Sequence, residues 1–430
     1  MRVLYIHQHF TTPQGAGGIR SFEFARTLIA RGHSVTVVCG SHQRSRSGLS
    51  GPFRKKMRCG DVDGIRVIEV DLAYSNHDGL LKRAWTFLRF ALYTMRLALT
   101  ERYDLLFATS TPLTVALPGI VAKLVRRRKF VFEVRDLWPE LPREMGVIRN
   151  RGLLLALSLL EWLAYRLADA CIGLSPGIVE GIRKRSPRGK QIAMIPNGAD
   201  LEIFSPSKRQ SVCVDGIGPR DFVAVFCGAH GLANGLDAVL DAAEVLKQRN
   251  EPAIKLLFVG DGKLKPALQE RAQTSSLDNC LFLDSIPKHR LAELLASANV
   301  GLMILANCPA FYYGTSPNKF FDYISSGLPI LNNYPGWLAG LIEEHGCGAV
   351  VSPGDAEAFA TALVGMRDAS HQLQTMGENA RALAEKRFSR EMLATQFVDF
   401  LEESNGSPPA ESTADACVED AVERRMSVMS

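Results

Sequence analysis

The 430-residue chain has no long charge-free apolar run, no C-x-x-C pair and no G-x-G-x-x-G string. Each absence excludes a class of protein. Val3 to Ile6 is a short apolar run followed at once by the polar His7-Gln8-His9, so the N-terminus has neither the apolar core nor the small-residue cleavage site of an export signal. Leu80–Tyr103 and Leu153–Leu174 are oily but interrupted by charge. A bilayer-crossing helix needs roughly 18 or more apolar residues, so the chain is not expected to span a membrane. The nine cysteines are scattered, which fits reduced thiols in a cytoplasmic protein better than a disulfide framework or a zinc site. The missing glycine fingerprint, with no ribose-binding acid about 20 residues beyond it, weighs against an NAD-dependent oxidoreductase.

Charge is abundant but unevenly placed. Residues 1–205 hold 31 Lys+Arg against 17 Asp+Glu, a net of +14, and the remainder holds 19 against 28, a net of −9. A basic first half points to an anionic partner. Without a nucleic-acid recognition motif, an anionic membrane surface is the better candidate. Leu80–Tyr103 mixes Trp85, Phe87, Leu88 and Phe90 with Lys82, Arg83, Arg89, Arg96 and Arg102, and Arg126–Lys129 is a cationic cluster. Such a segment fits a helix lying in the membrane interface, or else a core helix with solvated ends.

The order of segments is that of an α/β protein. Val3–Ile6 reads as a buried strand, followed by a glycine loop, a helix through Phe22, Ala25, Leu28 and Ile29, and a strand Ser34–Val38 after Gly32. Further strands fall at 66–70, 105–108, 130–134 and 170–174. The pattern restarts at 222–226 and continues at 255–259, 280–283, 300–304 and 329–331. This predicts two Rossmann-like doubly wound domains, residues 1–205 and 206–375, facing across a cleft. A helical segment, 376–404, follows and is placed to pack back on the first domain, and a Ser/Pro/acidic tail, 405–430, is expected to be disordered.

Chemistry concentrates at strand ends. Gly17 and Gly18 precede the first helix and would let an anion approach its N-terminus. Gly228 and His230 repeat the device in the second half, and Val259–Lys263 offers another glycine turn with a cation, Lys263. Ser316-Pro317-Asn318-Lys319 reads as a helix start whose N–H groups and lysine face outward. Asp322, three residues on, shares a face with Lys319. A lysine for phosphate and a carboxylate for ribose make a nucleotide site; a plain surface ion pair is the alternative. Asp61-Val62-Asp63 has metal-binding D-x-D spacing, yet it lies in a turn ahead of Gly64, so no metal site is assigned.

Arg31–Val38, the string Arg135-Asp136-Leu137-Trp138-Pro139-Glu140, Leu174–Pro176, Ile195–Asp200, Pro317–Tyr323 and Gly346–Val351 together resemble family 4 glycosyltransferases, in order, over about residues 1–400. The Arg-Asp-Leu-Trp-Pro-Glu string is similar to a subgroup building cell-surface polysaccharides such as O-antigen, including transferases of fucosamine type. The resemblance implies a GT-B fold with the acceptor on the first domain and a nucleotide-sugar donor, UDP-linked, on the second. It also implies a retaining reaction that needs no metal or other cofactor. The partners expected are the nucleotide-sugar, a lipid-linked acceptor and the anionic inner face of the cell membrane, with no nucleic acid. Asp136 and Glu140 are the carboxylates available to position or deprotonate the acceptor, with Arg135 orienting a phosphate or carboxylate beside them. This chain departs from the family at Gly314, where many relatives carry glutamate, at Ala229 and Asn234, where a cation pair is common, and at Arg135, where a histidine is frequent. His230 and Lys319 are the groups left to grip the diphosphate. A GT-B epimerase or hydrolase is the nearest alternative activity.

Overall fold

The computed structural model describes residues 1–15, 17–42, 46–74, 78–205 and 214–406. In the first part of the chain come β1 (Arg2–Ile6), α1 (Arg20–Ala30), β2 (Ser34–His42), β3 (Met57–Val62), β4 (Ile65–Tyr74), α2 (Leu80–Thr100), β5 (Leu105–Thr109), α3 (Ala116–Arg126), β6 (Lys129–Val134), α4 (Glu140–Glu144), α5 (Arg151–Leu167), β7 (Ala170–Gly173), α6 (Pro176–Arg185) and β8 (Gln191–Met194). The strands join in the order β3-β4-β2-β1-β5-β6-β7-β8, all neighbours parallel except the β3–β4 hairpin. β1 and β5 are apolar because both faces of the sheet are covered. One face carries α2, α3, α5 and α6; the other carries α1.

A second sheet follows, built from β9 (Phe222–Cys227), α7 (Asp237–Gln248), β10 (Ile254–Val259), α8 (Lys265–Thr274), β11 (Cys280–Leu283), α9 (Lys288–Ser297), β12 (Val300–Met303), α10 (Pro309–Gly314), α11 (Asn318–Ser325), β13 (Ile330–Asn332), α12 (Trp337–His345), β14 (Gly348–Val350) and α13 (Ala356–Asp368). Its order is β11-β10-β9-β12-β13-β14, all parallel.

The helical segment expected over 376–404 is two helices with a break between them: α14 (Ser370–Arg387) and α15 (Arg390–Asn405). The break has a clear cause. At Ser389 the chain becomes extended and lies beside Ala199, whose N–H donates to the Phe388 carbonyl at 2.7 Å and whose carbonyl accepts from Arg390 N at 2.9 Å. Two crossings between the sheets therefore lie side by side. Beyond them, α14 puts Ala380, Leu383 and Ala384 into the core of the second sheet. α15 puts Leu393, Phe397 and Leu401 into the core of the first, with Phe397 stacked on Phe24 at 4.2 Å. Of the expected 405–430 tail, residues 407–430 lie outside the described residues, as do residues 206–213 at the start of the second expected domain.

Candidate functional site

The carboxyl ends of the two sheets face each other across a cavity of about 620 Å³. From the first sheet it is lined by His7 and His9 after β1, Gly17 and Gly18 before α1, Thr111 after β5 and Arg135 after β6. From the second come Gly228 and Ala229 after β9, Asn234, Gly260 and Asp261 after β10, Ser285 and Lys288 leading into α9, and Asn318, Lys319 and Asp322 of α11. The first turns of α9 and α11 and the loop entering α1 thus meet at one space. Each brings the unpaired N–H groups and partial positive charge of a helix start.

Glycine is demanded at two places. A Cβ on Gly260, whose φ is +148°, would lie 1.9 Å from the Gly228 carbonyl oxygen. One on Gly18 would sit 2.9 Å from Asn318 Nδ2, so the loop before α1 touches the start of α11 across the cleft.

Lys319 is the central cation. Its Nζ lies 2.6 Å from Asn234 Oδ1 and 3.9 Å from the centroid of the Phe226 ring, and among the described residues no carboxylate pairs with it. Burial lowers its pKa to about 7. Asp322 shares the cavity wall with Lys319, but its ion-pair partner is Lys288, with Nζ to Oδ1 at 2.9 Å and both side chains nearly buried. Lys288 is a site residue that the sequence reading missed. Its one local signal is Pro287, a helix-start residue just beyond the strand 280–283. Thr111 was missed as well.

Several expected residues go elsewhere. His230 does not line the cavity. The turn after β9 sends its ring inward, edge-on to Phe226 at 5.9 Å and near Phe258 and Phe282, and burial lowers its pKa to about 4. Lys263 is exposed on a separate pocket beside Gln269 and Asp284. The Ser316 hydroxyl accepts from Asn197 N at 3.0 Å, and its carbonyl accepts from Asn197 Nδ2 at 2.6 Å. It clasps the two domains instead of facing the cavity, and α11 starts at Asn318.

On the first sheet's side, Arg135 lines the cavity with its Nη1 3.4 Å from His7 Nε2. Burial, with Arg135 beside it, pushes the His7 pKa well below that of a free imidazole. Asp136 is one step back, accepting from Thr111 Oγ1 at 2.9 Å, and burial raises its pKa. Glu140 is the first residue of α4, exposed and off the cavity, the placement of a helix-start acid. Arg20, the first residue of α1, pairs with Glu133 at 2.7 Å and donates to the carbonyls of Ile195 and Pro196, tying the glycine loop's helix to the first crossing.

Known proteins share this plan. Over 219 residues, half of this chain and 49% of the relative, the sequence is 24% identical to the MMP alpha-(1->4)-mannosyltransferase of Mycolicibacterium hassiacum. It is 23% identical over 169 residues, 39% of this chain and 41% of the relative, to the amylovoran biosynthesis glycosyltransferase AmsK of Erwinia amylovora. The matches thus span about half the length of these curated relatives or less. The structure of Anabaena HepE in complex with UDP and glucose superposes with a TM-score of 0.66 at 17% identity, covering 94% of this chain and 99% of that one; the likeness is one of fold. Residues 15–198 match the glycosyl transferase 4-like domain and residues 221–368 match glycosyl transferases group 1. With one match on each sheet and a GT-B architecture joining them, this chain belongs to the 4-like, group 1 family of glycosyltransferases.

Proposed function

We propose that the chain moves a sugar, an N-acetylated amino-sugar by its fucosamine-type string, from a UDP-linked donor onto a lipid-linked acceptor in cell-surface polysaccharide synthesis. The observation that carries this is Lys319: a cation without a carboxylate partner among the described residues, at the start of α11, facing a cavity where three helix starts converge. Departure of a nucleoside diphosphate builds negative charge on its β-phosphate. Preformed N–H groups and a partly desolvated ammonium stabilise that charge without reorganising, which suits a metal-independent reaction. Asp322, held by Lys288, is the carboxylate for ribose hydroxyls. Arg135 and His7 face the opposite wall, where the acceptor would enter. Retention of anomeric configuration is the outcome the family likeness implies. HepE, crystallised with UDP and glucose, and the amylovoran transferase support the donor and the polysaccharide context.

Calorimetric titration of UDP without added metal tests the donor site. Wild type should bind, and the Lys319→Ala/Asp322→Ala variant should bind about a hundredfold more weakly, since a hydrogen bond to a charged group contributes about 1.5–3 kcal/mol. A folded wild type that ignores UDP would remove the donor assignment. Steady UDP release from a UDP-sugar with no acceptor present would favour a hydrolase.

A further inference from the structure

One surface is unlike the rest. Among the described residues, fourteen large hydrophobic side chains are exposed, and twelve of them lie on α2, α3 and α5. α3 packs against both of the others, and the inner sides of all three enter the same core on one face of the first sheet. Their outer sides therefore form one continuous surface. It carries Leu81 (89% exposed) and Trp85 (59%) from α2, Leu124 and Val125 from α3, and Leu155 (73%) and Trp162 from α5. An exposed apolar patch of this kind marks an interaction site.

Charge decides what the patch meets. The three helices hold eight Lys or Arg residues and one carboxylate, Glu161, which is buried and bonded to Arg185. Lys82, Arg96, Arg151 and Arg166 are exposed among the apolar side chains. A second copy of the same face would set like charges against each other across an apolar contact. Nucleic acid would leave the leucines facing phosphate. An anionic bilayer satisfies both features, with leucine and tryptophan in the interface and lysine and arginine at the headgroups.

We infer that α2, α3 and α5 form a three-helix platform that seats this chain on an anionic lipid surface, with the four exposed apolar side chains of α5 adding to the six of the basic segment α2. The platform reaches the cavity: Phe87 of α2 packs edge-on to His9 on the cavity wall, ring centroids 6.4 Å apart. A seated membrane would thus present headgroup-linked acceptor at the His9 side. Only that last step rests on the proposed sugar transfer; the seat stands on the surface alone.

Co-sedimentation with phosphatidylcholine–phosphatidylglycerol vesicles tests the seat. The full chain should sediment with them at low salt and far less with phosphatidylcholine alone. Trp85→Glu/Leu155→Glu should weaken binding about tenfold or more, with the circular dichroism spectrum and UDP titration unchanged. The inference falls if wild type stays in the supernatant, or if the variant sediments equally well. It falls too if duplex DNA, and not the vesicles, retains wild type in a variant-sensitive way. A dimer in sedimentation velocity that the variant disperses would reassign the face to a second copy. UDP binding is read separately, so a failed seat leaves the donor site standing, and a failed donor site leaves the seat.

Discussion

The two sheets are built alike and finished differently. Each has apolar parallel strands buried between helices, yet the first domain is strongly basic and displays nearly all the large hydrophobics exposed among the described residues, while the second is acidic and, among those residues, exposes only Leu232 and Tyr313. Their rims differ in the same sense. The second domain's rim is backbone-tight, with Gly260 pressed on the Gly228 carbonyl and, beside it, Lys319, which bonds to Asn234 and has no carboxylate partner among the described residues. The first domain's rim sets the side chains of His7, His9, Thr111 and Arg135 beside its glycine loop, Gly17 and Gly18. A rigid backbone cradle suits an invariant diphosphate, and a side-chain wall suits an acceptor particular to one enzyme. The interior thus follows the common fold, and the individuality of the chain lies in what each domain leaves exposed.

The sharpest break in this comparison is that α15, last in the chain, belongs to the first domain's core. Phe397→Ala removes a ring stacked on Phe24 and packed against Phe107 and Tyr5. The cost should be about 3–5 kcal/mol. Trp85, Trp138 and Trp162 report on the first domain and Trp337 on the second. In denaturant the transition seen through the first three should move to lower concentration. Leu383→Ala in α14 should instead move the transition of Trp337, because Leu383 lies in the second domain's core. If Phe397→Ala moved only the Trp337 transition, α15 would have been assigned to the wrong body.

Strands such as Val3–Ile6 and Phe222–Phe226 were legible because burial on both faces leaves unbroken apolar runs. β3, a half-exposed edge strand reading Met-Arg-Cys-Gly-Asp-Val, has no such run, and β8 and β14 are short edge strands with no fully buried residue. Within the site, Gly17, Gly18, Gly228, Asn318, Lys319 and Asp322 could be placed because strand-end glycines and a helix start are local signals. Local signals do not say which way a turn sends its side chains. Gly262 packs so closely on the His230 backbone that a Cβ there would meet its carbonyl oxygen at 2.4 Å, and this folded-under turn directs the imidazole into the aromatic core. Nor does the sequence show pairing at a distance. Asp322 is matched with Lys288, thirty-four positions earlier, where spacing alone pointed to Lys319.

The contrast between the rims can be sharpened by pH. Burial holds the Lys319 pKa at about 7, against about 10.4 for an unfolded lysine. The folded state therefore binds fewer protons at this position between those values, and this group's contribution favours folding more as pH rises from 7 towards 10. Ligand affinity runs the other way, because only the ammonium attracts the diphosphate. From pH 7 to 8, where a terminal phosphate of pKa about 6 is already ionised, UDP affinity should fall by up to about tenfold. Lys319→Met should abolish the slope. An unchanged slope in that variant would move the titrating group elsewhere on the rim.

The smallest effect is expected at Glu140. The string Arg135–Glu140 offers two carboxylates to the acceptor, but they stand differently: Asp136 is linked to the cavity wall through Thr111, while Glu140 is exposed at the start of α4 and off the cavity. Glu140→Gln should change kcat by less than about twofold, because a solvated first-turn acid contributes only a few tenths of a kcal/mol to its helix. Asp136→Asn is the informative companion. An asparagine oxygen still accepts from Thr111 Oγ1, so a positioning role survives the change, whereas removal of a general base costs about 10²–10⁴ in rate. With Asp136 one residue back from the cavity, kcat should stay within about tenfold of wild type. A fall of a thousandfold in Asp136→Asn, without a shift in Kd for UDP, would mean that the acceptor wall moves this carboxylate into contact during turnover. The first domain would then supply the proton acceptor while the second holds the leaving group.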